Sequence, residues 1–240
     1  MSQFKFFYPE WREIEHEWLE IDSHTWVRWW AALYLEMGTG RRDDNRVHKK
    51  LIDKAGLLSG DDLELVGRWK EGCLAEGNGM WKSKTPAAYD TWMQVKAELP
   101  KCPTKERIDE FLEVWSENKF AAGVDKKTGQ VQQKRFGLSR STTLLHFVSG
   151  GDYPILDSNV REAMARLGSP IQEGISAYLN SFCPLISDLA AASGVSGTEG
   201  LRMLDNALFS YGSTEFPMFL INSASHHGAT GSDALPWVTL

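Results

Sequence analysis

The run Lys134–Leu167, KRFGLSRSTTLLHFVSGGDYPILDSNVREAMARL, constrains the fold more than any other part of the chain, because its punctuation leaves few ways to lay it out. Gly137 supplies a turn, and the run reads as a tight hairpin leading into a short helix over Ser139–Phe147, with Leu138, Thr142 and Leu145 near helical spacing. Gly150-Gly151-Asp152-Tyr153-Pro154 then breaks the chain, since neither a glycine pair nor a proline continues a helix. Asp157 and Ser158 stand just before Val160, Met164 and Leu167, the apolar stripe of a second helix. An acid at that point either caps the helix or does chemistry beside it.

Helical periodicity dominates the rest. Trp11, Ile14, Trp18 and Ile21 predict a helix over Tyr8–Glu20, and Asp22 or Ser23 caps a second helix through Met37, with Trp26, Trp30 and Leu33 on one side. Further helices are expected over Asn45–Leu57, Asp61–Ala75 (started by Ser59 or Asp61), Pro86–Leu99, Lys105–Trp115, Ile171–Phe182 and Thr198–Phe209. The polar stretch Gly123–Val131 differs and reads as a small β-hairpin inserted over 123–133, and the tail 223–240 reads as irregular. No internal repeat or low-complexity linker interrupts the pattern. The expected architecture is all-α.

The segment around Asp157 resembles the helix-hairpin-helix DNA glycosylase superfamily. That family carries L-P-G-V-G-x-K-T-A in its hairpin, then an apolar helix, then V-D-T-H-V-x-R. Phe136-Gly137-Leu138-Ser139-Arg140-Ser141-Thr142-Thr143 occupies the hairpin's place, and Ile155-Leu156-Asp157-Ser158-Asn159-Val160-Arg161 that of the aspartate motif. The resemblance implies that Asp157 is the catalytic carboxylate and that Gly137, Ser139, Arg140, Ser141 and Thr142 contact a DNA phosphate. It also implies two packed helical lobes around a cleft within one compact unit, approximately 1–35 plus 170–240 and 36–169. Two departures matter. Ser139 replaces the second hairpin glycine, and Ser141 stands where strand-cutting members carry a lysine whose amine attacks the sugar. Serine cannot do that, so the resemblance implies a monofunctional enzyme that removes a damaged or modified base and leaves an abasic site. Base excision repair and defence against modified phage DNA both fit such an activity.

A second similarity lies upstream. Family members open with an apolar helix, a polar turn whose residue fills the gap left by the flipped base, and another helix. Ala31–Val47 has that form, which implies Met37 or Thr39 as the wedge and Arg41 and Arg42 as phosphate contacts. Ten tryptophans are present, eight of them before residue 93, and most must be core. Trp29, Trp30 and Tyr34 adjoin the wedge-like turn and are candidates to line the base pocket.

Composition narrows the partners. The formal net charge of -6 argues against a surface coated for nucleic acid, so a DNA face must be local. Lys126-Lys127, Lys134-Arg135 and Arg140 form one basic group, Arg41-Arg42 and Lys49-Lys50 another. The three cysteines, Cys73, Cys102 and Cys183, make neither a disulfide framework nor a CxxC metal site, and cannot supply the four-cysteine iron–sulfur cluster of some family members. His16-Glu17-Trp18-Leu19-Glu20 falls short of the zinc motif HExxH because Glu20 replaces the second histidine, and a helix surface is expected there. His226-His227 reads as tail, and His146, on an apolar stretch, as a satisfied core histidine. No metal or other cofactor is expected. Without a long apolar segment, a cytoplasmic, monomeric protein acting on double-stranded DNA is the expectation. Two alternatives stay open: a non-catalytic helix-hairpin-helix DNA-binding module, and a helical protein-interaction protein suited to the negative charge.

Overall fold

The computed structural model describes residues 7–11, 16–20, 22–36, 41–74, 81–82, 86–124 and 131–213. Helices form most of it, and two of them begin from side-chain caps. Asp22 opens α1 (Ser23–Glu36) by accepting the Thr25 N–H at 2.9 Å and the Thr25 hydroxyl at 2.7 Å. After α2 (Arg41–Ile52), α3 (Gly60–Lys70) starts from a capping box in which Ser59 Oγ accepts the Asp62 N–H while the Asp62 carboxylate accepts the Ser59 N–H. Then come α4 (Pro86–Glu98), a 3-10 turn leading into α5 (Ile108–Glu117), α6 (Gly137–Val148) and α7 (Ser158–Arg166). One α-turn at Ile175–Ala177 and a π-helical turn at Tyr178–Phe182 run into α8 (Cys183–Ala192), and α9 (Gly197–Gly212) follows. Among the described residues no helix is long and apolar enough to cross a membrane.

Two antiparallel ribbons accompany the helices. The helix expected over Tyr8–Glu20 is instead β1 (Phe7–Trp11) paired with β2 (His16–Glu20), Pro9 opposite Trp18. Aromatic residues spaced at three and four are equally at home in strands, and a two-stranded ribbon tolerates a proline because each strand keeps an edge. The HExxH-like segment is therefore strand, not helix surface. The second ribbon pairs β3 (Lys119–Val124) with β4 (Val131–Arg135), so the pairing begins at Lys119, before the expected insertion. It also takes over the chain reversal: where Phe136–Thr143 reads as a tight hairpin, the structure has a single positive-φ residue, Gly137 at +79°, joining β4 to α6. The base of the ribbon is closed by the Phe136 N–H donating to the Asn118 carbonyl at 2.9 Å.

The chain divides into two compact units. The first comprises Met1–Thr39, Ser158–Gln172 and Pro184–Leu240, the second Gly40–Asp157 and Glu173–Cys183. Residues 158–169, expected in the 36–169 block, thus group with the terminal segments, because α7 packs on α9. Gly212 allows that approach: a Cβ there would lie 1.7 Å from the Asn159 carbonyl oxygen and 2.9 Å from the Ala163 nitrogen. The first unit's core joins Trp26, Trp30 and Leu33 of α1 to Leu204, Leu208 and Tyr211 of α9, with Trp30 and Tyr211 edge to face at 4.8 Å. The second unit's core gathers Leu51, Leu63, Val66, Trp92, Val95, Trp115, Phe136, Leu144 and Phe147.

Two stability predictions follow from these contacts. Gly212→Ala forces backbone apart and is expected to cost about 3 kcal/mol or more, measured by urea unfolding. Asp62 offers a pH test. Burial alone would raise its carboxyl, but hydrogen bonds from Lys54 and Ser59 outweigh burial and hold it below its ordinary 3.8. A group depressed in the folded state stabilises above its unfolded value, and the contribution is lost as pH falls through the folded one. Asp62→Asn should therefore cost about 1–2 kcal/mol at pH 7, with the difference from wild type narrowing below about pH 4.

Candidate active site around Asp157

Asp157 owes its place to a loop that three side chains from two helical elements hold by hydrogen bonds. After α6, Gly150 and Gly151 take φ of 74° and 92°, and the Gly151 N–H returns to the His146 carbonyl at 2.8 Å. The chain then runs irregularly with Ile155 and Leu156 buried, so its backbone polar groups need partners. His146 Nδ1 meets the Tyr153 carbonyl at 2.7 Å, the Tyr178 hydroxyl donates to the Pro154 carbonyl at 2.7 Å, and the Leu156 N–H donates to Thr142 Oγ1 at 3.2 Å. Burial pushes the Tyr178 hydroxyl well above its ordinary pKa, so it remains a donor. His146 Nε2 in turn lies 2.8 Å from Nε2 of His48. A carbonyl only accepts, so His146 carries a proton on Nδ1; a neutral His146 then accepts from His48 through Nε2. His146 is buried as expected, but it is also a strut of this loop.

Asp157 follows as the last residue before α7. Lys70 Nζ donates to its Oδ2 at 3.3 Å, with the Lys70 side chain 12% and the Asp157 side chain 17% exposed. Beside Lys70, Glu71 accepts Arg140 Nε at 2.7 Å and Nη2 at 3.3 Å through its two oxygens, and also the Trp92 indole N–H at 3.2 Å. Consecutive residues at the end of α3 therefore bind two different partners, one the candidate carboxylate and the other the candidate DNA-contacting arginine. Lys70 and Glu71 were not legible as site residues. They lie far from Asp157 in sequence, and only tertiary packing brings α3 to it.

The other sequence candidates fall unevenly. Ser141 and Thr142 are fully buried: Ser141 Oγ donates to the Gly137 carbonyl at 2.9 Å and Thr142 Oγ1 to that of Ser139 at 3.1 Å. These hydroxyls serve the helix and the Asp157 loop and do not present themselves to a phosphate. Gly137 and Ser139 are half-buried in the first turn of α6, and Arg140 is occupied by Glu71. Arg41 and Arg42 begin α2. Met37 and Thr39 lie outside the described residues, as do His226, His227 and the tail. Trp29, Trp30 and Tyr34 are buried in the first unit, Trp30 against Tyr211 and Tyr34 against Phe209 at 5.6 Å, with the Tyr34 hydroxyl accepting from Arg202 at 3.2 Å. These are the surroundings of core aromatics, and Asp157 belongs to the other unit.

No protein-family model, curated protein or solved structure matches the chain.

The loop struts can be weighed individually. Thr142→Val keeps the shape of the side chain and removes the acceptor of the buried Leu156 N–H, with an expected cost of about 1–3 kcal/mol. Amide hydrogen exchange in residues 153–157 should accelerate in this variant while that of α4 and α5 stays unchanged.

Proposed function

We propose that the protein is a monofunctional DNA glycosylase that hydrolyses the N-glycosidic bond of a damaged or modified base, with Asp157 as its catalytic carboxylate. The observation that carries this reading is the sheltered carboxylate itself, presented at a helix mouth by a loop with fixed backbone, within the motif ILDSNVR. Rupture of the bond to the base sends the bonding electrons to the base and leaves positive charge on the sugar. A fixed carboxylate next to that charge stabilises it without reorganising, and orients the water whose oxygen bonds to C1′. At an effective dielectric of about 20, opposite charges about 4 Å apart attract by roughly 4 kcal/mol. Fully expressed in the transition state, that is about a thousandfold in rate.

Double-stranded DNA is the partner in this reading, with the target nucleotide turned out of the stack. Base excision repair and defence against modified phage DNA are the two settings it serves. Lys70 gives a second reading some support: a carboxylate already in an ion pair suits a structural cap in a non-catalytic DNA-binding module.

Abasic-site formation separates the two. Wild-type protein and Asp157→Asn are incubated with duplexes carrying uracil, alkylated bases, or hydroxymethylated and glucosylated cytosines, and strand breaks are counted before and after mild alkali. The expected result is alkali-dependent breaks by the wild type on one of these classes, reduced about 100-fold or more in Asp157→Asn with binding retained. Salt-sensitive binding without breaks on any duplex would establish the binding module instead.

A further inference from the structure

We propose that Lys70 is a phosphate-binding residue that leaves Asp157 for the DNA backbone when DNA docks, so that its positive charge is withdrawn from the carboxylate only in the complex. This rests on the glycosylase reading and adds to it a DNA contact and a means of regulation. An ammonium ion beside Asp157 opposes the very charge that the carboxylate must stabilise, so a site that kept Lys70 in place would weaken itself. The geometry favours an exchange of partner. At 3.3 Å the Lys70–Asp157 bond is longer than two lysine pairs elsewhere among the described residues, Lys54–Asp62 at 2.6 Å and Lys96 with Asp61 and Glu64 at 2.7 and 2.8 Å. Arg140 cannot take the phosphate as cheaply, because both Glu71 oxygens hold it. A lysine amine on four rotatable bonds changes partner with little rearrangement, and the strongest anions a duplex brings are the phosphates flanking the nucleotide at Asp157.

The exchange is tested by equilibrium binding in a KCl series to two duplexes of one sequence. One carries a neutral tetrahydrofuran abasic analogue, the other a pyrrolidine analogue whose protonated ring nitrogen mimics the sugar cation. Wild type is expected to prefer the cationic duplex by about tenfold, and Asp157→Asn to lose that preference while binding the neutral duplex more tightly, its Lys70 now free for phosphate. Lys70→Gln should weaken both complexes, lower the salt slope by about one, and keep the preference for the cation; Lys70→Arg should restore the slope. An unchanged slope in Lys70→Gln overturns the proposal. So does loss of the cation preference in that variant, which would make Lys70 the support of Asp157, or a borohydride-stable cross-link between Lys70 and a natural abasic duplex. Thermal melting checks each variant; should Lys70→Gln not fold, the neutral-duplex affinity of Asp157→Asn decides, and no gain there rejects the exchange. If wild type itself shows no cation preference while Lys70→Gln still loses its unit of slope, the phosphate contact stands and the glycosylase reading falls.

Discussion

A buried, irregular stretch of backbone has to find partners for its carbonyl and amide groups, and in this protein the demand falls on Tyr153–Leu156. The Tyr153 and Pro154 carbonyls and the Leu156 amide each go to a side chain from a helix: His146, Tyr178 and Thr142. Two of these donors or acceptors come from α6 and one from the π-helical turn at Tyr178–Phe182. The π-turn inserts an extra residue into the helical repeat and so changes which side chains share a face. The loop is thereby fixed without regular secondary structure, and the residue at its end, Asp157, inherits a defined position.

Charge is arranged in the same spirit of closure. The chain has more acids than bases, and many of the described bases are already matched: Arg140 with Glu71, Lys96 with Asp61 and Glu64, Arg135 with Glu117. Two of the basic residues that the sequence groups together for DNA, Arg135 and Arg140, are therefore locally neutralised. Their partners are acids drawn from α5 and from the end of α3, which no inspection of the basic run itself reveals. This is why linear clustering of lysine and arginine is a weak guide to a phosphate-binding face, and why a lysine outside every cluster, Lys70, stands next to the candidate carboxylate.

The order of helices was readable because some of their ends are written in residues with one physical job: Asp22, Ser59, the Gly150–Gly151 pair. Asp157 was readable for the same reason, standing between a proline break and an apolar stripe. Tyr8–Glu20 misled because aromatic spacing alone does not separate a helix from a two-stranded ribbon. The burial of the Ser141 and Thr142 hydroxyls was not readable, because a helix start and a phosphate loop favour the same small polar residues. Lys70, Glu71 and His48 carried no local signal, since their roles arise from contacts across 69 to 98 residues of sequence.

The discontinuous make-up of the two units bears on how the chain acquires its structure during synthesis. The first unit needs both ends: Ser23 Oγ donates to the Ala192 carbonyl across 169 residues, and Arg202 reaches the Tyr34 hydroxyl across 168. Its α1 must wait, with Trp26 and Trp30 uncovered, until α9 has left the ribosome. The second unit is nearly contiguous from Gly40 to Asp157 and lacks only Glu173–Cys183. Its core can assemble while the first unit is still incomplete, and the last of the three struts under the Asp157 loop arrives with Tyr178.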